Sequence, residues 1–146
     1  MKKLIIVGGK KLNGIINISG SKNATLPILA ASILNQHKTI ITNIPLVKDV
    51  ETMIDLLSIL GSKIKLIKKK KTIEILNSDN FNTFAPYKLV KTMRAGILVL
   101  GPLLAKYNRA KVSLPGGCAI GSRPVNFHLN ALKKMGAKIK VKNGYI

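Results

Sequence analysis

The chain has 146 residues, of which 47% are hydrophobic and one is a cysteine. This length suits about one domain, and the hydrophobic fraction argues against wholesale disorder. No apolar run reaches the ~18 residues that a membrane-spanning helix needs, and the apolar stretch near the start is too short for a signal peptide. A single cysteine cannot form an internal disulfide, so we expect a cytoplasmic protein.

The net charge of +20 is the most unusual bulk property. A strongly basic surface attracts phosphates, so one interpretation is a nucleic-acid-binding module. The other is a surface biased towards lysine. We favour it because nucleic-acid sites prefer arginine and only Arg94, Arg109 and Arg123 are arginines. The three tyrosines and three phenylalanines do not alternate with the lysines, as a base-stacking surface requires.

The first half of the chain is predicted to contain two helices, a strand and a hairpin. Residues 22–34 have apolar residues at helical spacing, with Ser19 or Ser21 as the N-cap. Asp49 caps a second, amphipathic helix, which Gly61 ends. The strand covers residues 39–44 and the second helix residues 49–60. The hairpin strands are residues 63–67 and 72–76, and the lysine-rich turn 68–71 joins them.

The second half is predicted to repeat this order. Its first helix has a break or kink near Gly101-Pro102, and its second helix begins with Pro124, a favoured first position. Asn143-Gly144 is a strong signal for a two-residue turn. The first helix covers residues 87–105, and a strand follows at residues 111–114. The second helix covers residues 124–135, and a second strand covers residues 138–142.

The two halves also match each other in sequence. An offset of 75 residues places residues 57–65 on residues 132–140. A self-match of this kind indicates two copies of one supersecondary unit. We name residues 21–76 copy one and residues 87–146 copy two. Because the chain stops shortly after the predicted turn of copy two, in what looks like a cut strand, we expect the natural protein to continue beyond Ile146.

The copies differ in the loop before the second helix, where copy two has the additional stretch 116–121. Loops inserted into a repeated scaffold are where function tends to lie. In this loop, Cys118 is near a helix start and near Arg123, and both favour a thiolate. Two interpretations are open: Cys118 is a nucleophile or an acid near neutral pH, or it is a buried structural cysteine.

Two further segments are candidate anion sites. Lys22 and Asn23 follow a Ser-Gly-Ser turn at a helix start, where free N–H groups and a positive charge suit a carboxylate or a phosphate. The alternative is an ordinary capped helix with an exposed lysine. Arg94 either binds a phosphate or faces water. His37 and His128 are isolated, so the sequence offers no Cys/His cluster for zinc, and it offers no paired carboxylates.

Three segments, in this order and spacing, resemble the enolpyruvyl transferase family: SGSKNATLPILAASIL, APYKLVKTMRAGILVLGPLLA and VSLPGGCAIGSRPV. Within the family they are similar to the branch that acts on UDP-N-acetylglucosamine, because the branch that acts on shikimate phosphate lacks the Gly-Gly-Cys loop. The resemblance covers residues 12–146. It implies an α/β (α+β) fold, made of repeated β-α-β-α-β-β units of an inside-out α/β barrel that is incomplete here.

The resemblance also implies a domain organisation and an activity. Residues 1–20 would be strands of the second domain of the full enzyme, and residues 21–146 about two repeat units of the first catalytic domain, truncated at the C-terminus. An enolpyruvyl group would move from phosphoenolpyruvate to the 3-hydroxyl of UDP-N-acetylglucosamine, with release of phosphate, as the first committed step of peptidoglycan synthesis. No metal or organic cofactor, no membrane and no nucleic acid are expected. An inactive remnant of such an enzyme is the alternative.

Specific residues take roles through the same resemblance. Cys118 matches the family cysteine, which donates a proton to the methylene carbon of phosphoenolpyruvate and can bond covalently to it. Lys22, Asn23 and Arg123 match residues that bind phosphoenolpyruvate. The residues that match contacts to UDP-N-acetylglucosamine are Arg94, Arg123, Pro124, Val125, Asn126 and Phe127.

Two departures from the family pattern matter. The family commonly has an aspartate where this chain has Asn126, which accepts a hydrogen bond but carries no charge. The family's carboxylate base and a further phosphate-binding arginine come from a part of the family sequence that this chain does not contain. We therefore predict that the 146 residues alone do not turn over substrate.

Overall fold

The computed structural model of the protein describes residues 3–115 and 125–146. The α-helices in this part are α1 (Lys22–Ala31), α2 (Lys48–Leu60), α3 (Tyr87–Val90), α4 (Leu100–Tyr107) and α5 (Asn126–Lys134). The 3-10 helices are Ser32–Leu34, Lys68–Lys70 and Arg94–Val99. The strands are β1 (Thr39–Ile41), β2 (Ser62–Ile67), β3 (Thr72–Asn77), β4 (Phe84–Ala85) and β5 (Lys111–Val112).

The first helix of copy one is confirmed. The 3-10 helix Ser32–Leu34 continues α1, so the two together span the predicted range 22–34. The Ser21 hydroxyl accepts a hydrogen bond from the Ala24 amide at 3.3 Å, which identifies Ser21 as the N-cap. Thr25 and Leu29 are on the buried side of this helix.

The second helix of copy one ends as predicted but begins differently. Gly61 follows α2 with a φ of 119°, the left-handed conformation that suits glycine at a helix end. The N-cap is Val47, so the prediction that Asp49 caps the helix is wrong. Asp49 instead lies in the first turn, where its carboxylate pairs with Lys22 and still complements the positive end of the helix dipole.

A three-stranded antiparallel sheet of order β1-β3-β2 completes copy one. The β2–β3 hairpin is confirmed, with Ser62 opposite Asn77 and Ile67 opposite Thr72 around the exposed lysine turn. β1 ends three residues earlier than predicted, because Asn43 has a φ of 54° and cannot continue an extended strand.

The predicted helix over residues 87–105 is broken at a different place. α3 ends at Val90, and Met93 is extended, with a φ of −141° and a ψ of 112°, which buries its side chain. The chain continues as the 3-10 helix Arg94–Val99 and then α4. Pro102 causes no break, because it lies in the first turn of α4, where a proline is tolerated.

The end of copy two has less regular structure than predicted. Residues 138–142 do not form a strand, because among the described residues only Tyr145 pairs with them, through a bridge to Lys142. The two-residue turn is confirmed, with φ values of 52° at Asn143 and 76° at Gly144. After the turn, the backbone of Ile146 pairs in both directions with Val112 at 2.8 and 2.9 Å.

The two copies share one hydrophobic core. α1 packs on α2, and α2 packs on the sheet through fully buried side chains of Leu56, Leu57 and Leu60. α4 of copy two lies against the end of α1, where the Lys106 ammonium donates hydrogen bonds to the Ile33 and Asn35 carbonyls at 2.8 and 3.2 Å. A cation at this position complements the negative end of a helix dipole.

Residues 3–20 lie apart from this core. They contain no helix or strand, and their large apolar side chains are between 73% and 96% exposed. The prediction that this segment supplies strands to a second domain stays a prediction. The described residues form no closed barrel. In the same part of the chain, no helix combines the length and the apolar character needed to cross a membrane.

Candidate functional site

The start of α1 brings together Ser21, Lys22 and Asn23, as the sequence predicts. Ser21 uses its hydroxyl to cap the Ala24 amide and its carbonyl to accept from the Thr25 amide at 2.9 Å. The amides of the first helical residues have no partner within a helix, so they are available to an anion. The side chains of Lys22 and Asn23 are exposed.

The Lys22 ammonium donates a hydrogen bond to the Asp49 carboxylate, with 2.8 Å between Nζ and Oδ2. This contact joins the first turn of α1 to the first turn of α2. The sequence reasoning missed it, because it gave Asp49 a capping role instead. One signal was available: the chain has only five acidic residues for 25 basic ones, so each carboxylate has a choice of cations.

The turn that leads into α1 requires glycine at position 20. A Cβ added to Gly20 would lie 1.7 Å from the backbone oxygen of Asn43. Asn43 also donates a side-chain hydrogen bond to the Ile18 carbonyl, at 3.4 Å. The backbone contact with Asn43 therefore fixes the direction from which the chain enters the helix at Ser21.

Arg94 begins the 3-10 helix that packs against α1. The side chain is half-buried, and its Nη1 atom is buried with no hydrogen-bond partner among the described residues. A buried guanidinium nitrogen without a partner is costly. An anionic ligand that accepted a hydrogen bond from Nη1 would remove this cost, so Arg94 is a candidate ligand-binding residue rather than one that simply faces water.

Three further predicted residues that the structure describes are at or next to the start of α5. Val125 precedes the helix, and Asn126 and Phe127 are its first two residues. Both side chains are exposed, and the Phe127 ring is 87% exposed. An aromatic side chain with so little contact has area available for a ligand. The predicted residues Cys118, Arg123 and Pro124 lie outside the described residues.

An open groove of about 1150 Å³ lies at the other end of copy two. It lies between α4 and the segment after α5, and its apolar lining includes Leu104, Leu132 and Ile139. None of the predicted site residues that the structure describes lines this groove. These described residues lie at the start of α1, at the start of the 3-10 helix Arg94–Val99 and at the start of α5.

Comparisons with known proteins identify the family of the chain. The family model described as EPSP synthase (3-phosphoshikimate 1-carboxyvinyltransferase) matches residues 6–146. The chain is 62% identical over its whole length to the UDP-N-acetylglucosamine 1-carboxyvinyltransferase of Pelagibacter ubique, and 58% identical to that of Rickettsia prowazekii. It spans 34% and 35% of these two relatives, about a third of their length.

A solved structure shows the same fold at low sequence identity. The enolpyruvyl transferase NikO from Streptomyces tendae matches 94% of this chain with a TM-score of 0.73 and 18% identity, and 30% of NikO is covered. The expected fold class is therefore confirmed. With the family model matched over residues 6–146, the chain belongs to the EPSP synthase (3-phosphoshikimate 1-carboxyvinyltransferase) family.

Proposed function

We propose that the chain is part of an enzyme that transfers the enolpyruvyl group of phosphoenolpyruvate to the 3-hydroxyl of UDP-N-acetylglucosamine and releases phosphate. The observation that carries the proposal is the capped start of α1, which presents Lys22 and Asn23 in a chain 62% identical to a UDP-N-acetylglucosamine 1-carboxyvinyltransferase. Because the chain spans about a third of such relatives, the activity is proposed for a protein that contains it.

Phosphoenolpyruvate binds at the start of α1 in this proposal. The substrate carries a carboxylate and a phosphate, and both suit free helix amides and a lysine ammonium. Lys22 provides the full positive charge, and Asn23 provides a neutral hydrogen-bond donor beside it. Arg123 provides a second cation, whose planar group binds two phosphate oxygens at once.

Cys118 performs the proton transfer. Its thiol gives a proton to the methylene carbon of phosphoenolpyruvate, which leaves the central carbon electron-poor. The sugar 3-hydroxyl bonds to that carbon and gives its proton to a carboxylate base in the rest of the protein. The Cys118 thiolate then takes a proton from the new methyl group, which restores the double bond as the bond between the central carbon and the phosphate oxygen breaks and phosphate leaves. General acid catalysis of this kind contributes roughly 10²–10⁴-fold.

The nucleotide sugar lies against the residues at the start of α5 in this proposal. Arg94 binds the diphosphate through its buried Nη1, which has no partner among the described residues. Phe127 and the backbone at Pro124 and Val125 contact the uridine. Asn126 contributes a neutral hydrogen bond where the family commonly has a charged one. The free thiol of Cys118 needs a reducing compartment, which fits the cytoplasmic location that we propose.

The test uses the protein isolated from its source cells, assayed for phosphate release with phosphoenolpyruvate and UDP-N-acetylglucosamine. We expect release that requires both substrates and is lost in a Cys118→Ser variant. The purified 146-residue chain serves as the control and is expected to release none. An isolated protein that releases no phosphate would contradict the proposal and favour an inactive remnant.

A further inference from the structure

Asp49 contacts the proposed substrate-binding lysine but has no role in the proposed reaction. Its Oδ2 lies 2.8 Å from the Lys22 Nζ, although the two residues are 27 positions apart in the chain. The side chains are 47% and 37% exposed, for Lys22 and Asp49 respectively. An exposed pair of this kind contributes little to stability. The role of this ion pair is therefore sought in its effect on the position of the Lys22 side chain.

Because Lys22 is at a helix start, its side chain needs a nearby anion to hold one conformation. The positive end of the α1 dipole repels a cation in the first turn, and a lysine side chain has many accessible rotamers. Asp49, in the first turn of α2, offsets this repulsion and fixes the ammonium through the 2.8 Å contact with its carboxylate. The ammonium has three N–H donors and Asp49 accepts one, so two are available to a ligand.

We propose that Asp49 is a positioning residue for Lys22, holding its ammonium in one place so that a carboxylate or phosphate at the start of α1 meets an ordered donor. This inference rests on the proposed function. A side chain that is ordered before binding does not lose its freedom upon binding, and the usual loss weakens affinity by roughly 3- to 10-fold per long side chain. Asp49 therefore raises affinity for an anion, despite its own negative charge.

The experiment measures the affinity for phosphoenolpyruvate of the full protein that contains this chain, as isolated from its source cells, and of its variants. Asp49→Asn is expected to weaken binding by roughly 3- to 10-fold, and Asp49→Glu, which keeps the charge, to recover most of it. Glu51→Gln is the matched control: it removes the same charge from the same turn of α2, but Glu51 pairs with Lys48 at 3.5 Å rather than with Lys22. We expect no weakening in the control.

A double-mutant cycle separates positioning from general electrostatics. In a Lys22→Met background, Asp49→Asn is expected to leave affinity unchanged or to raise it, because only the repulsive charge remains to be removed. Equal effects of Asp49→Asn and Glu51→Gln in the parent chain would overturn the inference while leaving the proposed function standing. If the unmutated full protein showed no saturable binding of phosphoenolpyruvate, the proposed function would fail, and the inference with it.

Discussion

The end of the first helix is covered in copy one, whereas among the described residues the matching positions of copy two line a groove. In copy one, the carbonyls of Ile33 and Asn35 accept hydrogen bonds from Lys106, and the Asn77 side chain donates a further one to Asn35 at 2.8 Å. The repeat offset of 75 places Asn108 and Ala110 at the matching positions of copy two, and both line the open groove. Among the described residues, a neighbouring unit therefore covers this helix end in copy one.

The positions at the start of α1 also differ between the two copies. Copy one has Lys22 and Asn23 there, whereas the repeat offset places Ile97 and Leu98 at these positions in copy two. Ile97 is 8% exposed and belongs to the core. The positions that carry Lys22 and Asn23 in copy one are therefore apolar in copy two. The repeated scaffold is shared, and the proposed anion site at the start of α1 has no counterpart at the matching positions of copy two.

The largest expected effect compares matched core leucines. Leu57 is fully buried in copy one, and its counterpart Leu132 is only partly buried beside the groove. Leu57→Ala should lower the free energy of unfolding by about 2–5 kcal/mol, because it leaves a cavity. Leu132→Ala should cost about 1 kcal/mol. Denaturant unfolding of both variants checks this, and equal losses would show that the copies are equally packed.

A glycine substitution at the entry to α1 should have the next largest effect. Gly20→Ala forces a displacement of Asn43, at a cost of about 1–3 kcal/mol, and should also weaken phosphoenolpyruvate binding. Gly101→Ala in α4 is the control, because a Cβ there meets nothing within 4 Å. Thermal unfolding should show Gly101→Ala to be neutral or slightly stabilising. A Gly20→Ala variant with the same melting temperature as the parent would contradict the close approach of the Asn43 backbone to position 20.

Lys106 tests the contact between the copies. Lys106→Met removes the hydrogen bonds to the end of α1 and should cost about 1–2 kcal/mol. Lys133→Met is the control, because Lys133 is in the last turn of α5 but is exposed. Urea unfolding should separate the two variants. If both lost the same stability, the carbonyl contact of Lys106 would have no specific role.

The smallest expected effect is the pH dependence from Glu74. A hydrogen bond from Lys38, at 2.9 Å, is the main cause that lowers the pKa of Glu74. A lowered pKa in the folded state adds stability above the unfolded pKa, and this stability is lost as the pH falls through the folded pKa. Melting temperatures of the parent and Lys38→Met should therefore differ slightly at neutral pH and converge in acid. A difference that grew in acid would contradict this.

Local signals predicted most of copy one. The Ser21 cap, the glycine after α2 and the alternating hairpin all act within a few residues, and each was found where the sequence placed it. The contacts that order the site act at long range. Lys22 meets Asp49 across 27 positions and Lys106 meets Ile33 across 73, and no local pattern encodes such pairings. The break at Met93 follows from its burial, which is also a tertiary effect.

The most direct test of the account is the location of phosphoenolpyruvate on the chain, followed by NMR amide shifts during a titration. We predict saturable shifts at the start of copy one, at Lys22, Asn23 and Ala24. We predict no such shifts at the matching residues of copy two, 97–99, because these form apolar core. Saturable binding with equal shifts at both helix starts, or with shifts confined to copy two, would contradict the claim that copy one carries the anion site.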